Sequence, residues 1–165
     1  MIDKQFRSTS AIWGDEHKSI AECAERAYDF MQLLKEHNPG LFSHWYEQAM
    51  SLKKALEREI EPTLEYFYKR VEKKWDRRFP DLGTQVWLWT GHKEDGYSAT
   101  VNFSLGKHAN NPNLKNACVV NLPYKGEYAD YYKESINRKA LIHLMQEFWK
   151  PDLLLVNGEE VESIQ

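Results

Sequence analysis

The chain has 165 residues, the length of one ordinary domain. Aromatic residues make up 13% of it, which excludes wholesale disorder, and no apolar run approaches the length of about 18 residues that a membrane-spanning helix needs. The net charge of -3 at pH 7 gives no overall attraction to nucleic acid or to an anionic membrane surface.

The first segment of the chain predicts a short strand followed by a long helix. The strand spans Phe6–Trp13, and Gly14 ends it. Ser19 and Glu22 have the spacing of a capping box. Behind them, apolar residues recur at steps of three and four up to about His37, which is typical of an amphipathic helix.

The next segment predicts irregular helical turns over residues 41–56 and then a second regular helix. Pro62 is expected in the first turn of that helix. Its buried stripe is predicted to contain Leu64, Phe67, Val71 and Trp75.

After Gly83 the apolar pattern changes to a period of two, which indicates strands. Three strands are predicted, at Gln85–Thr90, Tyr97–Leu105 and Ala117–Leu122. Because their connections are too short for helical crossovers, we expect them to be antiparallel.

The last segment predicts a third long helix over Asp130–Phe148 and a short strand at Leu153–Val156. The buried face of this helix is expected to contain Ile136, Ala140, Leu144 and Phe148. The order of elements predicts an α+β fold: an antiparallel sheet of about four to five strands, with three main helices packed mostly on one face. We expect a single domain over residues 1–158 and a flexible acidic tail over residues 159–165.

Motifs that carry chemistry are absent from the sequence. It contains no glycine-rich phosphate loop, no H-E-x-x-H, no C-x-x-C and no nucleophile elbow, and no two histidines lie three or four residues apart. We therefore expect no catalytic residue, metal or cofactor and a non-enzymatic protein, although a site assembled from distant residues stays open. Cys23 and Cys118 lie in apolar patterns and are predicted to be buried free thiols; a disulfide or a catalytic role is the alternative. Met1–Ser10 has no apolar core of signal-peptide length, so we expect a cytoplasmic protein.

Two surface segments each have two interpretations. The basic stretch Lys69–Arg78, with Trp75 inside it, suits single-stranded nucleic acid, or it is a solvated helix face with ion pairs such as Glu65–Lys69. The tyrosine-rich loop over residues 124–132 suits a protein partner, because tyrosine is enriched at interfaces, or its tyrosines cap the core.

An ordered set of motifs over residues 6–155 resembles the immunity protein 52 family of bacterial polymorphic-toxin systems. The motifs are Trp13-Gly14, Ser19-x-x-Glu22-Cys23-Ala24, Trp45, Pro80-Asp81-Leu82-Gly83, Trp87-Leu88-Trp89-Thr90-Gly91, Asn116-Ala117-Cys118-Val119-Val120-Asn121-Leu122-Pro123 and Trp149-x-Pro151-Asp152. We expect most of these residues to be structural, namely Trp13, Gly14, Glu22, Trp45, Gly83, Trp87, Trp89, Pro123 and Trp149. Asn121 departs from the family pattern, in which an acid is expected at this position.

The resemblance implies a non-catalytic protein that binds and neutralises a cognate toxin. That toxin is expected to be a nuclease with a restriction-endonuclease-like fold, delivered by type VI secretion. The implied partner is a protein; neither a membrane nor nucleic acid is expected to bind. Acidic and tyrosine side chains would suit the basic cleft of a nuclease, so the predicted toxin contacts are Asp15, Glu16, Glu127, Tyr128, Asp130 and Tyr131. The alternative is binding away from the cleft, which would block a conformational step or an assembly of the toxin.

Overall fold

A computed structural model of the chain describes residues 5–161, which form helices and one antiparallel sheet. The helices are α1 (Ile20–His37), α2 (Leu52–Leu56), α3 (Leu64–Lys74), α4 (Glu127–Tyr131) and α5 (Ser135–Trp149). The strands are β1 (Ser8–Trp13), β2 (Trp45–Tyr46), β3 (Glu59–Ile60), β4 (Thr84–Trp89), β5 (Thr100–Leu105), β6 (Asn116–Asn121), β7 (Leu153–Val156) and β8 (Glu159–Glu160). The α+β class is confirmed.

The described part of the chain has eight strands and five helices, so the expected four to five strands and three helices were too few. The additional strands β2, β3 and β8 have two residues each, and the additional helices α2 and α4 have five. A strand of two residues completes only one period of its pattern, and a helix of five residues completes fewer than two. Periodicity therefore could not reveal these elements.

The strands lie in the order β3-β2-β4-β5-β6-β1-β7-β8, and every neighbouring pair is antiparallel. The first strand of the chain therefore lies inside the sheet, between β6 and β7. Its place there depends on pairings across more than a hundred residues, such as Ser10 with Val119 and with Leu155.

Phe103 shows that the three longest helices share one face of the sheet. The ring of this β5 residue is fully buried and makes edge-on or tilted contacts with Phe30 of α1, Phe67 of α3 and Trp149 of α5. The centroid distances are 6.1, 6.3 and 6.2 Å respectively. The core therefore lies between these helices and one side of the sheet.

The beginning of α1 follows the predicted capping box. The Glu22 backbone N–H donates to Ser19 Oγ, and the Ser19 N–H donates to a Glu22 carboxylate oxygen, both at 3.0 Å. The second regular helix begins later than expected, because Thr63 is its N-cap and Pro62 precedes it. Leu64 is 44% exposed, so its place in the predicted buried stripe was wrong.

The buried face of α5 lies one residue beyond the predicted one. Leu141, Met145 and Trp149 are buried, whereas Ile136 is 77% exposed and Ala140 is also exposed. Large apolar residues occupy two adjacent rows of this helix, so spacing alone does not select between the rows. The helix also extends one residue further than predicted, to Trp149.

Part of the expected flexible tail is a strand. Glu159 and Glu160 pair with Val156 and Leu155 across the turn Asn157-Gly158, and both turn residues have positive φ. An Asn-Gly pair after an apolar run is a strong hairpin signal, and it accounts for this strand. Residues 162–165, the remainder of the tail, lie outside the described residues.

Both cysteines are buried and free, as predicted. Burial raises the pKa of the Cys23 thiol to about 12, and it raises the pKa of Cys118 as well. Both thiols are therefore protonated at neutral pH. Within residues 5–161, no helix combines the length and apolar character needed to cross a membrane.

Candidate protein-interaction surfaces

The first two predicted contact residues, Asp15 and Glu16, lie in the loop between β1 and α1. Asp15 is exposed. The Glu16 N–H donates to the Lys107 carbonyl at 2.9 Å, and a Glu16 carboxylate oxygen lies 3.4 Å from Lys18 Nζ. Glu16 is thus anchored through its backbone, and its charge is partly balanced by a neighbour.

The other four predicted contacts lie on α4, a segment that was predicted from the sequence to be a loop. Glu127 and Asp130 are exposed, and an Asp130 oxygen lies 2.8 Å from Lys133 Nζ. Tyr128 packs so closely on Gly40 that its hydroxyl oxygen lies 2.6 Å from where a Cβ on that glycine would be. This turn therefore presents acids to solvent and its tyrosine ring inward.

Tyr131 and Tyr132 close the core beside the end of α1. Tyr132 is 2% exposed, and its hydroxyl lies 2.9 Å from Nε2 of His37. The Tyr131 ring stands edge-on to both Tyr132 and His37, at centroid distances of 5.0 and 6.3 Å. The interpretation of this segment as a cap on the core holds for these rings.

The two groups of predicted contacts lie at opposite ends of α1. Glu16 precedes the helix, whereas α4 packs beside His37 at its last residue. With 18 residues at about 1.5 Å each, the helix separates them by roughly 27 Å. The structure therefore does not bring these six residues together into one small patch.

Most of the motif residues have structural environments. The Trp45 Nε1–H donates to the Phe42 carbonyl at 3.1 Å, and the Gly14 N–H donates to Asp152 Oδ2 at 3.0 Å. Trp87 and Trp89 differ, because their rings lie on the side of the sheet opposite α1, α3 and α5, and both are half-buried.

That opposite side forms a continuous surface that we term the open sheet face. Its side chains alternate with the buried positions of each strand, and they are half-buried or exposed. By register the open sheet face comprises Gln85, Trp87, Trp89, Thr100, Asn102, Ser104, Ala117, Val119, Asn121, Ser8, Ser10, Ile12, Leu153 and Leu155. None of these side chains is charged.

One end of the open sheet face deepens into a groove of about 580 Å³. Trp87, Trp89 and Asn121 line it from the sheet, and Leu52 of α2 and Tyr124 line it from the sides. Hydrogen bonding fixes the Tyr124 wall: its hydroxyl donates to Asp95 Oδ2 at 2.9 Å. The Arg7 guanidinium also lies over the Tyr124 ring, 4.3 Å from its centroid.

Two exposed apolar side chains extend this surface beyond the strands. Leu52 is 50% exposed and lines the groove, and Met50, two residues earlier, is 97% exposed. A second hollow between α2 and the sheet is lined by Ala49 and Ala55 together with the two tryptophans. The aromatic end of the open sheet face is therefore bordered by apolar groups on the α2 side.

The basic stretch Lys69–Arg78 does not form one continuous helical face. α3 ends at Lys74, and the ion pair predicted between Glu65 and Lys69 is present at 3.0 Å. Arg70 is 17% exposed and lies 3.0 Å from the Glu47 carboxylate. Those two cations thus pair within the fold, which favours the interpretation of this segment as a solvated helix face.

The described residues hold no group of three or more His, Cys, Asp or Glu side chains placed to bind a metal ion. The fold does bring together two histidines that are distant in sequence. The rings of His17 and His108 lie with their centroids 3.8 Å apart. Sequence spacing could not reveal this pair, because the β1–α1 and β5–β6 connections meet only in the folded chain.

Comparison with known proteins places the chain in a family. No curated protein matches its sequence. The family model for immunity protein 52 matches residues 7–164, nearly the whole chain. The resemblance carried by the ordered motifs is thereby confirmed, and the protein belongs to the immunity protein 52 family.

Proposed function

We propose that this protein neutralises a cognate toxin by binding it directly in the cytoplasm, without a catalytic step. The observation that carries the proposal is the family match over residues 7–164, since an immunity protein implies a toxin partner. On the motif resemblance, the toxin is a nuclease with a restriction-endonuclease-like fold, delivered by type VI secretion.

Binding without catalysis agrees with the surfaces of the fold. The thiols of Cys23 and Cys118 are buried and protonated at neutral pH, which does not suit nucleophilic attack. The groove beside Trp87 and Trp89 combines these aromatic rings with neutral polar side chains and, at its rim, with charges of both signs from Arg7, Lys93, Glu94 and Asp95. A mixed lining of this kind suits contact with another protein.

The acidic groups at both ends of α1 are proposed to guide the encounter. Asp15, Glu16, Glu127 and Asp130 would attract the basic cleft that a nuclease needs to hold phosphate, and Tyr128 and Tyr131 lie in the α4 turn. Electrostatic attraction of this kind raises association rates more than it raises affinity. These residues are thus candidate toxin contacts at the periphery of the complex.

Co-expression with the toxin domain encoded beside the gene tests the proposal. We expect growth to be restored, and we expect a stable complex in gel filtration with a catalytically inactive toxin. Self-protection requires a dissociation constant in the nanomolar range, about -12 kcal/mol. Continued killing, together with separate elution of the two proteins, would contradict the proposal.

A further inference from the structure

The absence of charge on the open sheet face is unusual for this chain. Charged residues make up 28% of the sequence, so fourteen positions of average composition would carry about four charged side chains. The open sheet face has none from β4 through β7, and its side chains are half-buried or exposed. Depletion of charge around exposed aromatic rings distinguishes the centre of a protein interface from the rest of a protein surface.

The size of the open sheet face matches that of a specific interface. Four of the five strands have six residues and β7 has four. With strands about 4.8 Å apart and a rise of about 3.3 Å per residue, they cover at most roughly 24 by 20 Å. The groove walls and the exposed Met50 and Leu52 add to this flat footprint. Together they approach the roughly 800 Å² that each partner contributes to a standard interface.

The chemistry of the open sheet face selects its occupant. A nucleic acid would need lysine or arginine to neutralise phosphate, and the fourteen strand positions have neither. At the groove, the cations Arg7 and Lys93 are accompanied by the anions Glu94 and Asp95. Its outward groups are two tryptophans, small aliphatic side chains and neutral hydrogen-bonding side chains. Such a surface complements a neutral, apolar protein surface, and tryptophan is among the residues that most often dominate binding energy.

We infer that the open sheet face docks on the toxin, with Trp87 and Trp89 as anchors and a neutral, apolar surface of the toxin lying against the fourteen strand positions. The inference rests on the proposed function and locates its contact surface. It separates two tasks: the acidic groups at the ends of α1 attract the toxin, and the open sheet face holds it. The protein then covers a toxin surface other than the phosphate-binding cleft.

Two substitutions on the open sheet face test the inference against two controls outside it. Ser10→Arg adds a charge at its centre, and Trp87→Ala removes an anchor. Ala140→Arg adds the same charge on the exposed side of α5, and Phe79→Ala removes a ring that is 52% exposed elsewhere. Circular dichroism and urea unfolding show whether each variant is folded. If Trp87→Ala does not fold, Ser10→Arg still tests the inference.

The probe is the catalytically inactive toxin domain encoded beside the gene, with association and dissociation rates measured by surface plasmon resonance. We expect the open-face variants to raise the dissociation constant about 30-fold or more, chiefly through faster dissociation. The two controls are expected to bind like the wild type. Because the fourteen strand positions carry no charge, added salt should slow association with the wild type more than it speeds dissociation.

The outcomes separate the location of the contact from the function itself. A wild-type protein that does not bind the toxin contradicts the proposed function. Wild-type affinity in folded Ser10→Arg and Trp87→Ala, with binding lost in Glu127→Gln and Asp130→Asn, overturns the inference alone. Analytical ultracentrifugation tests a further outcome. If Ser10→Arg loses a self-association that the wild type shows, while its toxin affinity is unchanged, the open sheet face contacts a second copy of the protein. That result also overturns the inference.

Discussion

Trp13, the last residue of β1, stacks on Trp149, the last residue of α5, with ring centroids 4.9 Å apart and planes at 18°. The Arg26 guanidinium of α1 lies 5.1 Å from the centroid of the Trp149 ring and donates to the Phe148 carbonyl at 2.9 Å. One aromatic cluster thus joins both ends of the chain to its first helix. It explains why these two motif tryptophans contribute to the fold rather than to a contact surface.

Removing the Phe103 ring is expected to be among the most destabilising single changes in the core. Phe103→Ala would leave a cavity where α1, α3 and α5 meet on the sheet, and should lower the free energy of unfolding by about 3–5 kcal/mol. Urea unfolding measures the change. The control Phe79→Ala, at a ring 52% exposed, should change stability by no more than about 0.5 kcal/mol.

Gly83 is expected to tolerate no side chain. Its φ of 64° and ψ of -140° lie in a region that is almost exclusive to glycine, and a Cβ there would overlap the Leu105 carbonyl oxygen. Gly83→Ala should therefore cost more than the roughly 1–2 kcal/mol of a positive φ alone. Gly158→Ala measures that conformational cost by itself, because Gly158 has a φ of 77° and no atom within 4 Å of the Cβ position. Equal losses in both variants would refute the predicted overlap.

The side chain of Asn116 should prove essential to the junction beyond Trp13. It is fully buried; its amide donates to the Gly14 and Lys107 carbonyls at 2.8 and 3.0 Å and accepts from the Lys107 N–H at 2.9 Å. Asn116→Ala removes the partner of the Gly14 carbonyl and of the Lys107 N–H, whereas the Lys107 carbonyl keeps the Glu16 N–H. We therefore expect a loss of about 3 kcal/mol in unfolding free energy. The exposed Asn113→Ala provides the matched control.

Stability should fall on mild acidification because of His37. Burial lowers the pKa of this imidazole from its ordinary value of 6.5, so the folded protein binds the proton less readily than the unfolded chain. Unfolding free energy is then fully retained above about pH 6.5 and decreases as the pH falls from there towards the folded-state pKa. His37→Gln should remove this contribution to the slope when unfolding is followed between about pH 7.5 and 5. An unchanged slope in that variant would refute the assignment to His37.

The predictability of the fold from sequence depended on the length of each pattern. α1 was predicted to its ends because a capping box and five turns of apolar spacing agree. The alternation around Val101 and Phe103 similarly identified β5. The buried face predicted for α5 was wrong by one residue. Leu144 and Met145 are adjacent apolar residues, as are Phe148 and Trp149, so the sequence allows two buried rows on this helix. Packing against the sheet decides between them, and only the folded chain contains that information.

The candidate contact surface was less accessible to sequence reasoning. Trp87 and Trp89 were placed among the structural residues, since alternation shows that two faces exist but not which one the helices cover. The absence of charge on the open sheet face emerges only when five strands are set in register. Acidic residues are conspicuous in a linear sequence, so they attracted the interface prediction. Neutral side chains drawn from distant strands did not.

The sheet ends at both edges in strands of only two residues, β3 and β8, and both contain glutamate. Lateral extension by another chain would gain very few backbone hydrogen bonds there, and two copies would bring like charges together. Short edge strands that contain acidic residues therefore oppose pairing between the sheets of different molecules. A contact made through side chains on the broad face, rather than through backbone at a border, is the kind of association that such an architecture permits.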